Sequence, residues 1–239
     1  MSVPDDLPPT GNPKDDASKK QTVDGVVDAG SLWLALSGTP GVGVSITDSE
    51  GNILFANDTT QVLFSGRTHV DYVGKKLSDF HPSEFVRERL QMIRRVLDEK
   101  RPLAARHIYL GRRIQSTVWP IVDAEPPYNR VMVVSRAVSG AEPLPVQDAN
   151  IEVFDSEYLD LGPLDVLSPR ELEVLVFLGH GMSVPETARA LKRSPKTIEH
   201  HKDSISRKLN ARGQSELVAI VTTLGLDLDD LKLRRLPRP

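Results

Sequence analysis

The chain has 239 residues, of which 39% are hydrophobic and 26% charged, with a formal net charge of −3 and no cysteine. That length suits two modest domains, and the missing thiols exclude disulfides, thiolate metal sites and a cysteine–flavin adduct. No apolar run approaches the roughly twenty residues of a membrane span, and the N-terminus lacks the apolar core of a signal peptide, so a cytoplasmic protein with no membrane partner is expected.

Residues 1–22 are rich in Pro, Asp, Lys, Gly and Ser. They offer too little apolar surface to repay ordering and read as a disordered tail. Val23–Ser37 reads as a short amphipathic helix (Val26, Val27, Leu32, Trp33, Leu34, Leu36) whose apolar side is free to cover its own domain or a second subunit. Val42, Val44 and Ile46 alternate up to a turn at Asp48–Asn52, and Ile53–Phe55 follow as the second strand of a hairpin. Short helical material over Asp58–Phe80 leads to a longer helix, Pro82–Lys100, with an apolar stripe at Val86, Leu90, Ile93 and Leu97. Three strands then follow, Leu103–Leu110, Arg113–Val122 and Arg130–Val138, with turns at Leu110–Arg112 and Asp123–Tyr128.

Ser139–Val166 carries seven acidic residues and no basic one, and reads as an acidic linker. Two readings stand side by side: a solvated spacer, or a cover that lies over a basic helix further on and blocks it. Single surface ion pairs contribute only about 0–1 kcal/mol, so a cover needs several together. Val153, Phe154, Tyr158 and Leu161 are alternatively a signalling helix at a dimer seam.

The C-terminal part announces its helices residue by residue. Ser168-Pro169 with Glu171, Ser183 with Pro185 and Glu186, and Ser194-Pro195 each write a helix start: a capping hydroxyl, a first-turn proline and, twice, a glutamate reaching back. Gly179 and Gly181 suit the left-handed residue that ends a helix. Only Lys192-Arg193 separates the second helix from the third, which forces a sharp corner. In the third helix Ile198, His201, Ile205 and Leu209 recur on one side, while Lys196, Glu199, His200, Asp203 and Arg207 fall mainly on the other. From Arg189 to Arg212 eight basic residues face two acidic ones, a local net charge of +6 in a chain of −3. Such a reversal is the footprint of a phosphate-binding surface.

Leu167–Leu226 resembles the LuxR/FixJ-type helix-turn-helix through Leu167-Ser168-Pro169-Arg170-Glu171, Gly181, Ala188, Leu191, Ser194, Thr197-Ile198-Glu199-His200-His201, Arg207-Lys208-Leu209 and Glu216-Leu217-Val218. The resemblance implies that the third helix enters the major groove and the fourth makes a dimer contact. By position, Glu199, His200 and Asp203 would face base edges, and Lys196, Thr197, Lys202, Arg207 and Lys208 would touch phosphates. A glutamate accepts from a cytosine amino group and a histidine donates to a guanine; His201 reads as a half-buried packing residue. Leu217, Val218, Ile220 and Val221, with Trp33, are the implied dimer surfaces. Two departures stand out: Thr187 where the family usually has isoleucine, and Gly213-Gln214 where it often has asparagine or serine followed by arginine.

Two strands, helices, then three strands is the order of a PAS domain, which the region resembles through Asp48, Gly51, Asn57, Val73-Gly74-Lys75, His81-Pro82 and Trp119-Pro120-Ile121. The expected fold is therefore α+β. An N-terminal PAS sensor domain, 23–138, with antiparallel sheet and flanking helices, is followed by the linker 139–166, an all-α four-helix domain at 167–226 and a tail at 227–239. His81-Pro82 with Leu90 also resembles the haem-holding histidine of certain PAS regulators, which makes His81 and His107 candidate haem ligands; the sequence requires no cofactor. Ser45 or Ser65 with His69 or His81 and Asp79 show no spacing that marks a catalytic set, so no enzyme is expected. The expected protein is a homodimeric, sequence-specific regulator of double-stranded DNA with a two-half operator, governed by a small-molecule or protein signal. The alternatives are a haem-based gas or redox sensor and an interaction adaptor whose helix-turn-helix no longer binds DNA.

Overall fold

The computed structural model describes residues 28–123, 125–138 and 151–236. The expected tail at 1–22, the start of the first helix, Glu142 and Asp148 of the linker, and residues 237–239 lie outside them. The chain divides into two compact units after Ala35. α1 (Ala29–Gly38), which spans that division, buries no residue.

Within the second unit, β1 (Gly43–Asp48) and β2 (Ile53–Ala56) form the expected hairpin. Asp48 makes its turn, since one carboxylate oxygen accepts from the amides of Glu50 and Asn52, each at 2.9 Å. Asn57 caps α2 (Asp58–Ser65) by accepting from Thr60 N at 3.0 Å, and its side chain also accepts from Val44 N and donates to Val42 O. α3 (Ser83–Glu99) crosses the sheet made by β3 (Leu103–Tyr109), β4 (Arg112–Pro120) and β5 (Arg130–Ala137). Its buried face is Phe85, Glu88, Arg89, Met92, Ile93 and Val96. The apolar stripe expected from the sequence is thus rotated: Val86, Leu90 and Leu97 are only half-buried, and two charged residues take the inner positions. Periodicity assigns charge to solvent, whereas Glu88 and Arg89 pair with each other at 3.0 Å inside.

The linker departs most from expectation. β6 (Glu152–Leu159) is a strand, neither a spacer nor a helix, and it adds in parallel to β3. β7 (Arg234–Arg235) adds in parallel to β6, giving one sheet in the order β2-β1-β5-β4-β3-β6-β7. The reason is backbone valence: β3 would otherwise present an open edge of amides and carbonyls. On that strand Glu152 pairs with Arg95 and Asp155 with Arg106, arginines of the PAS region and not of the basic third helix.

The four remaining helices are α4 (Pro169–Gly179), α5 (Val184–Ala190), α6 (Pro195–Leu209) and α7 (Gln214–Leu224). Ser168 with Glu171 and Ser183 with Glu186 form the expected capping boxes, and Ser194 accepts from Thr197 N. Their core (Leu172, Leu175, Leu178, Ile198, Ile205, Leu217) is continuous with Ile108 of β3 and with Leu159, Leu161 and Leu164. The tail expected at 227–239 is structured as far as Leu236. A 3-10 turn covers Asp229–Lys232, and Leu236 packs with Leu63, Phe85, Tyr109 and Ile114.

Thr187, the departure noted in the sequence, is wholly buried, and its hydroxyl has no hydrogen-bond partner. A buried unpaired hydroxyl costs about 1–3 kcal/mol. Thr187→Val, which keeps the shape, should raise the stability of this domain by about 1 kcal/mol, read as a higher urea midpoint at unchanged m-value; a lower midpoint would show that the hydroxyl is satisfied.

Candidate nucleic-acid interface and sensor cavity

α6 is fixed from its inner side. Ile198 and Ile205 are fully buried, and His201 and Leu209 are half-buried, as the spacing expects. Lys196, Glu199, His200, Asp203 and Arg207 are all exposed, and their spacing stacks them in one stripe along the helix. Lys192, Arg193 and Arg212 flank the stripe and are exposed as well. Thr197 is half-buried beside the cap, its hydroxyl 2.8 Å from that of Ser194. Lys202 lies to one side, 3.7 Å from the Glu199 carboxylate.

Lys208 does not belong to this stripe. Its ammonium donates to Glu171 at 2.7 Å, and Ser204 donates to the same carboxylate at 2.7 Å. Glu171 also accepts from Ser168 N at 2.7 Å. Lys208 thereby helps lock α6 onto the start of α4. Burial pushes the Glu171 pKa up, but the Lys208 ammonium and the amide and hydroxyl donors outweigh it and bring the group down to about 2. A carboxylate with a depressed folded pKa contributes stability above its ordinary pKa, and that stability is lost as pH falls towards the folded value. Below about pH 4.5, and progressively towards pH 2, the helical domain should therefore lose stability. Glu171→Gln should cost about 2–3 kcal/mol at pH 7 and flatten this acid limb; an unchanged acid titration of helix content would contradict the assignment.

The implied dimer residues divide. Leu217 and Val221 are buried on α4, with Val221 packed against Gly179, so these two are core and not interface. Val218 and Ile220 remain half-exposed. α7 starts on Gly213 without a side-chain cap, while Gln214 donates to Met182 O at 3.2 Å. Trp33 is half-exposed on α1.

The PAS region encloses a cavity of about 80 Å³ between α2, α3 and the sheet, walled by Phe64, Phe85, Tyr72, Met92, Ile93 and Val118 among others. Such a volume admits roughly six water-sized groups. His81, His107 and Arg89 are its nitrogen-bearing side chains, beside the hydroxyls of Ser45, Thr47, Thr60, Tyr72 and Ser116. His81 Nδ1 lies 2.6 Å from the Tyr109 hydroxyl. Burial, and secondarily the Arg89 charge, lowers its pKa to about 4. His107 stacks on Phe64 and is held well below its ordinary pKa by burial, then by Arg89 and His81. Both rings are neutral at physiological pH. The Arg89 guanidinium lies 4.6 Å above the Phe85 ring. Its Nε, and Nε2 of His107, have no hydrogen-bond partner although both residues are buried. Haem does not fit here. Cofactor clefts run to roughly 300–1,000 Å³, several times the volume found here. The candidacy of His81 and His107 as haem ligands is corrected on that ground. Arg89, missed in the sequence, has one signal there: it follows Phe85 by four places, on the same helix face.

The fold and these two sites define a class: a PAS fold joined to a helix-turn-helix of bacterial transcription regulators. Residues 40–142 match the family model for the PAS fold, and residues 165–221 match that for bacterial regulatory proteins of the luxR family. The helix-turn-helix belongs to that family. Over 56 residues the chain is 45% identical to the oxygen regulatory protein NreC of Staphylococcus carnosus (strain TM300), covering 23% of this chain and 26% of that one. NreC of Staphylococcus epidermidis is 43% identical over the same length and shares. The match thus spans about a quarter of these curated relatives. Among solved structures, the VqmA–ligand–DNA complex from Vibrio cholerae is 18% identical with a TM-score of 0.45, over 89% of this chain and 95% of that one. The phage VqmA–DPO complex is 20% identical with a TM-score of 0.43, over 80% and 86%. No helix among the described residues is long and apolar enough to cross a membrane.

Proposed function

We propose that this chain is a sequence-specific DNA-binding transcription regulator of the cytoplasm, governed by occupancy of its PAS cavity. The exposed stripe of α6, set in a stretch (Arg189–Arg212) of formal net charge +6, is the observation that carries this reading. Lys196, Arg207 and the flanking Lys192, Arg193 and Lys202 supply phosphate contacts, with Thr197 beside them at the helix start. Glu199, His200 and Asp203 read base edges. Acidic groups on a groove-facing helix repel phosphate and are tolerated only where a base amino group answers them, so binding is selective. A homodimer joined through Val218, Ile220 and the Trp33 helix would recognise two half-sites.

The ligand of the cavity is a small uncharged molecule with a hydrogen-bond acceptor, offered to Arg89 Nε and His107 Nε2. Glu88 already balances the Arg89 charge at 3.0 Å, so a carboxylate ligand would leave an excess anion in an apolar site.

Selection from random duplex DNA tests the reading. Lys196→Ala should weaken binding to all sequences alike and reduce the salt slope by about one unit. Glu199→Ala should alter the selected sequence at one position, with discrimination there falling by about 1–3 kcal/mol. If both variants act identically, the division into positioning and reading contacts is wrong. Absence of salt-sensitive retention on duplex DNA would favour the adaptor reading.

A further inference from the structure

We propose that Glu88 is the residue through which the state of the PAS cavity reaches the helix-turn-helix domain; the inference rests on the reading of that region as a sensor. Glu88 and Arg89 are neighbours on α3, both buried, but they serve different surroundings. Arg89 lies in the cavity wall, over Phe85 and within 3.5 Å of His107 Nδ1. Glu88 turns to β6: it accepts from the Ser156 hydroxyl at 2.7 Å and from Glu157 N at 2.8 Å. The two are joined by the bond from Arg89 to Glu88 at 3.0 Å.

The place on β6 that Glu88 holds is irregular. Pairing with β3 jumps from Arg106–Asp155 to Ile108–Leu159, so Ser156, Glu157 and Tyr158 leave the ladder opposite His107. Ladder amides satisfy themselves, but a bulged amide needs another acceptor. For Glu157 that acceptor is a carboxylate whose counter-ion stands in the cavity. Just beyond the bulge, Leu159, Leu161 and Leu164 enter the core of the helix-turn-helix domain. The same stretch is riveted at both sides. Gly111 N donates to Asp160 O at 2.8 Å, and Leu236 N donates to Leu159 O at 2.9 Å. A ligand acceptor that draws Arg89 inward weakens its hold on Glu88, and Glu88 then holds the bulge differently. Two alternative arrangements of one buried ion pair are the bistable element that such coupling requires.

Amide hydrogen exchange of the full chain tests this. Arg89→Met removes the guanidinium and keeps the bulk of the side chain. Exchange at Glu157 and from Leu159 to Leu164 should speed by about tenfold, while β1 and β2 stay protected. Unchanged exchange at these amides would overturn the inference, and so would a uniform rise across both domains, which marks simple destabilisation. Should Arg89→Met not fold, Ser156→Ala probes the same link from the other end, because coupling is reciprocal. It should shift the ring-nitrogen resonances of His107 and the Arg89 Nε signal; unmoved resonances would overturn it. Wild-type retention on duplex DNA is measured alongside. No retention with a responsive bulge sinks the DNA reading and leaves the relay standing, whereas retention with an unresponsive bulge sinks the relay alone.

Discussion

Arg113→Met should destabilise the chain by about 3–5 kcal/mol and release the C-terminal segment from the PAS region. Arg113 stands on β4 and is mostly buried, with 13% of its side chain exposed against 11% for Asp230. It donates to Gly225 O, at the end of α7, and to Asp230, each at 2.6 Å. Removing it leaves a carboxylate and a carbonyl buried without their partner, and methionine replaces only the bulk. Arg113→Lys should fall between, because one point charge cannot serve two acceptors set for a fork. Burial raises the Asp230 pKa and Arg113 opposes that rise. An acid whose folded pKa is raised favours the folded state below its unfolded pKa and loses that benefit as pH climbs through the folded value. The deficit of Arg113→Met should therefore be larger at pH 8 than at pH 5. Urea unfolding followed by tryptophan fluorescence, from Trp33 and Trp119, and by helix content should separate into two transitions. A single transition at the wild-type midpoint would refute the role given to Arg113.

Gly179→Ala should be comparably damaging, at about 3 kcal/mol. A Cβ built at Gly179 would lie 2.3 Å from Val221 Cγ2 and 2.4 Å from Val221 Cβ. Those atoms belong to a side chain fixed in the core between α4 and α7, so the helices must part. Alanine's better helix propensity returns only about 0.5–1 kcal/mol. Val221→Gly in the same chain, which removes the Cβ as well, should relieve the clash, making the double variant more stable than the sum of the two single losses. Strict additivity in that cycle would show that the two residues are not in contact. The variant also tests α6 indirectly, since α4 anchors both α7 and, through Glu171, α6.

Much of the helical domain was legible before any fold was known. Ser168, Ser183 and Ser194 with their prolines and glutamates mark helix starts through local hydrogen bonds, and all three starts stand where the sequence puts them. The stripe on α6 was legible for the same reason: spacing along one helix is a local property. Gly179 was assigned the right place and the wrong reason. Gly181 adopts the left-handed conformation, at φ 83°, whereas Gly179 is small because Val221 arrives there. Lys208, Leu217 and Val221 likewise take their positions from groups on other helices.

The strands of the PAS region and its long helix follow from alternation and turn chemistry, within a few residues of their observed ends, whereas the helical material expected over Asp58–Phe80 stops at Ser65 apart from a 3-10 turn at Leu77–Asp79. Long-range pairing is where local pattern stops informing. An acidic stretch such as Glu152–Leu159 has the charge of a solvated spacer, yet its backbone completes the open edge of β3. Glu88 and Arg89 have the charge of a helix surface, yet each lies inside because the other does. Capping, helix periodicity and local charge are written in residues a few places apart, so the chain alone determined the helix-turn-helix and its polarity. Edge pairing, buried ion pairs and close helix crossings depend on groups as far apart as Arg113 and Asp230. Only the folded arrangement assigned those, because a buried polar group is stabilised by whichever partner the fold delivers to it.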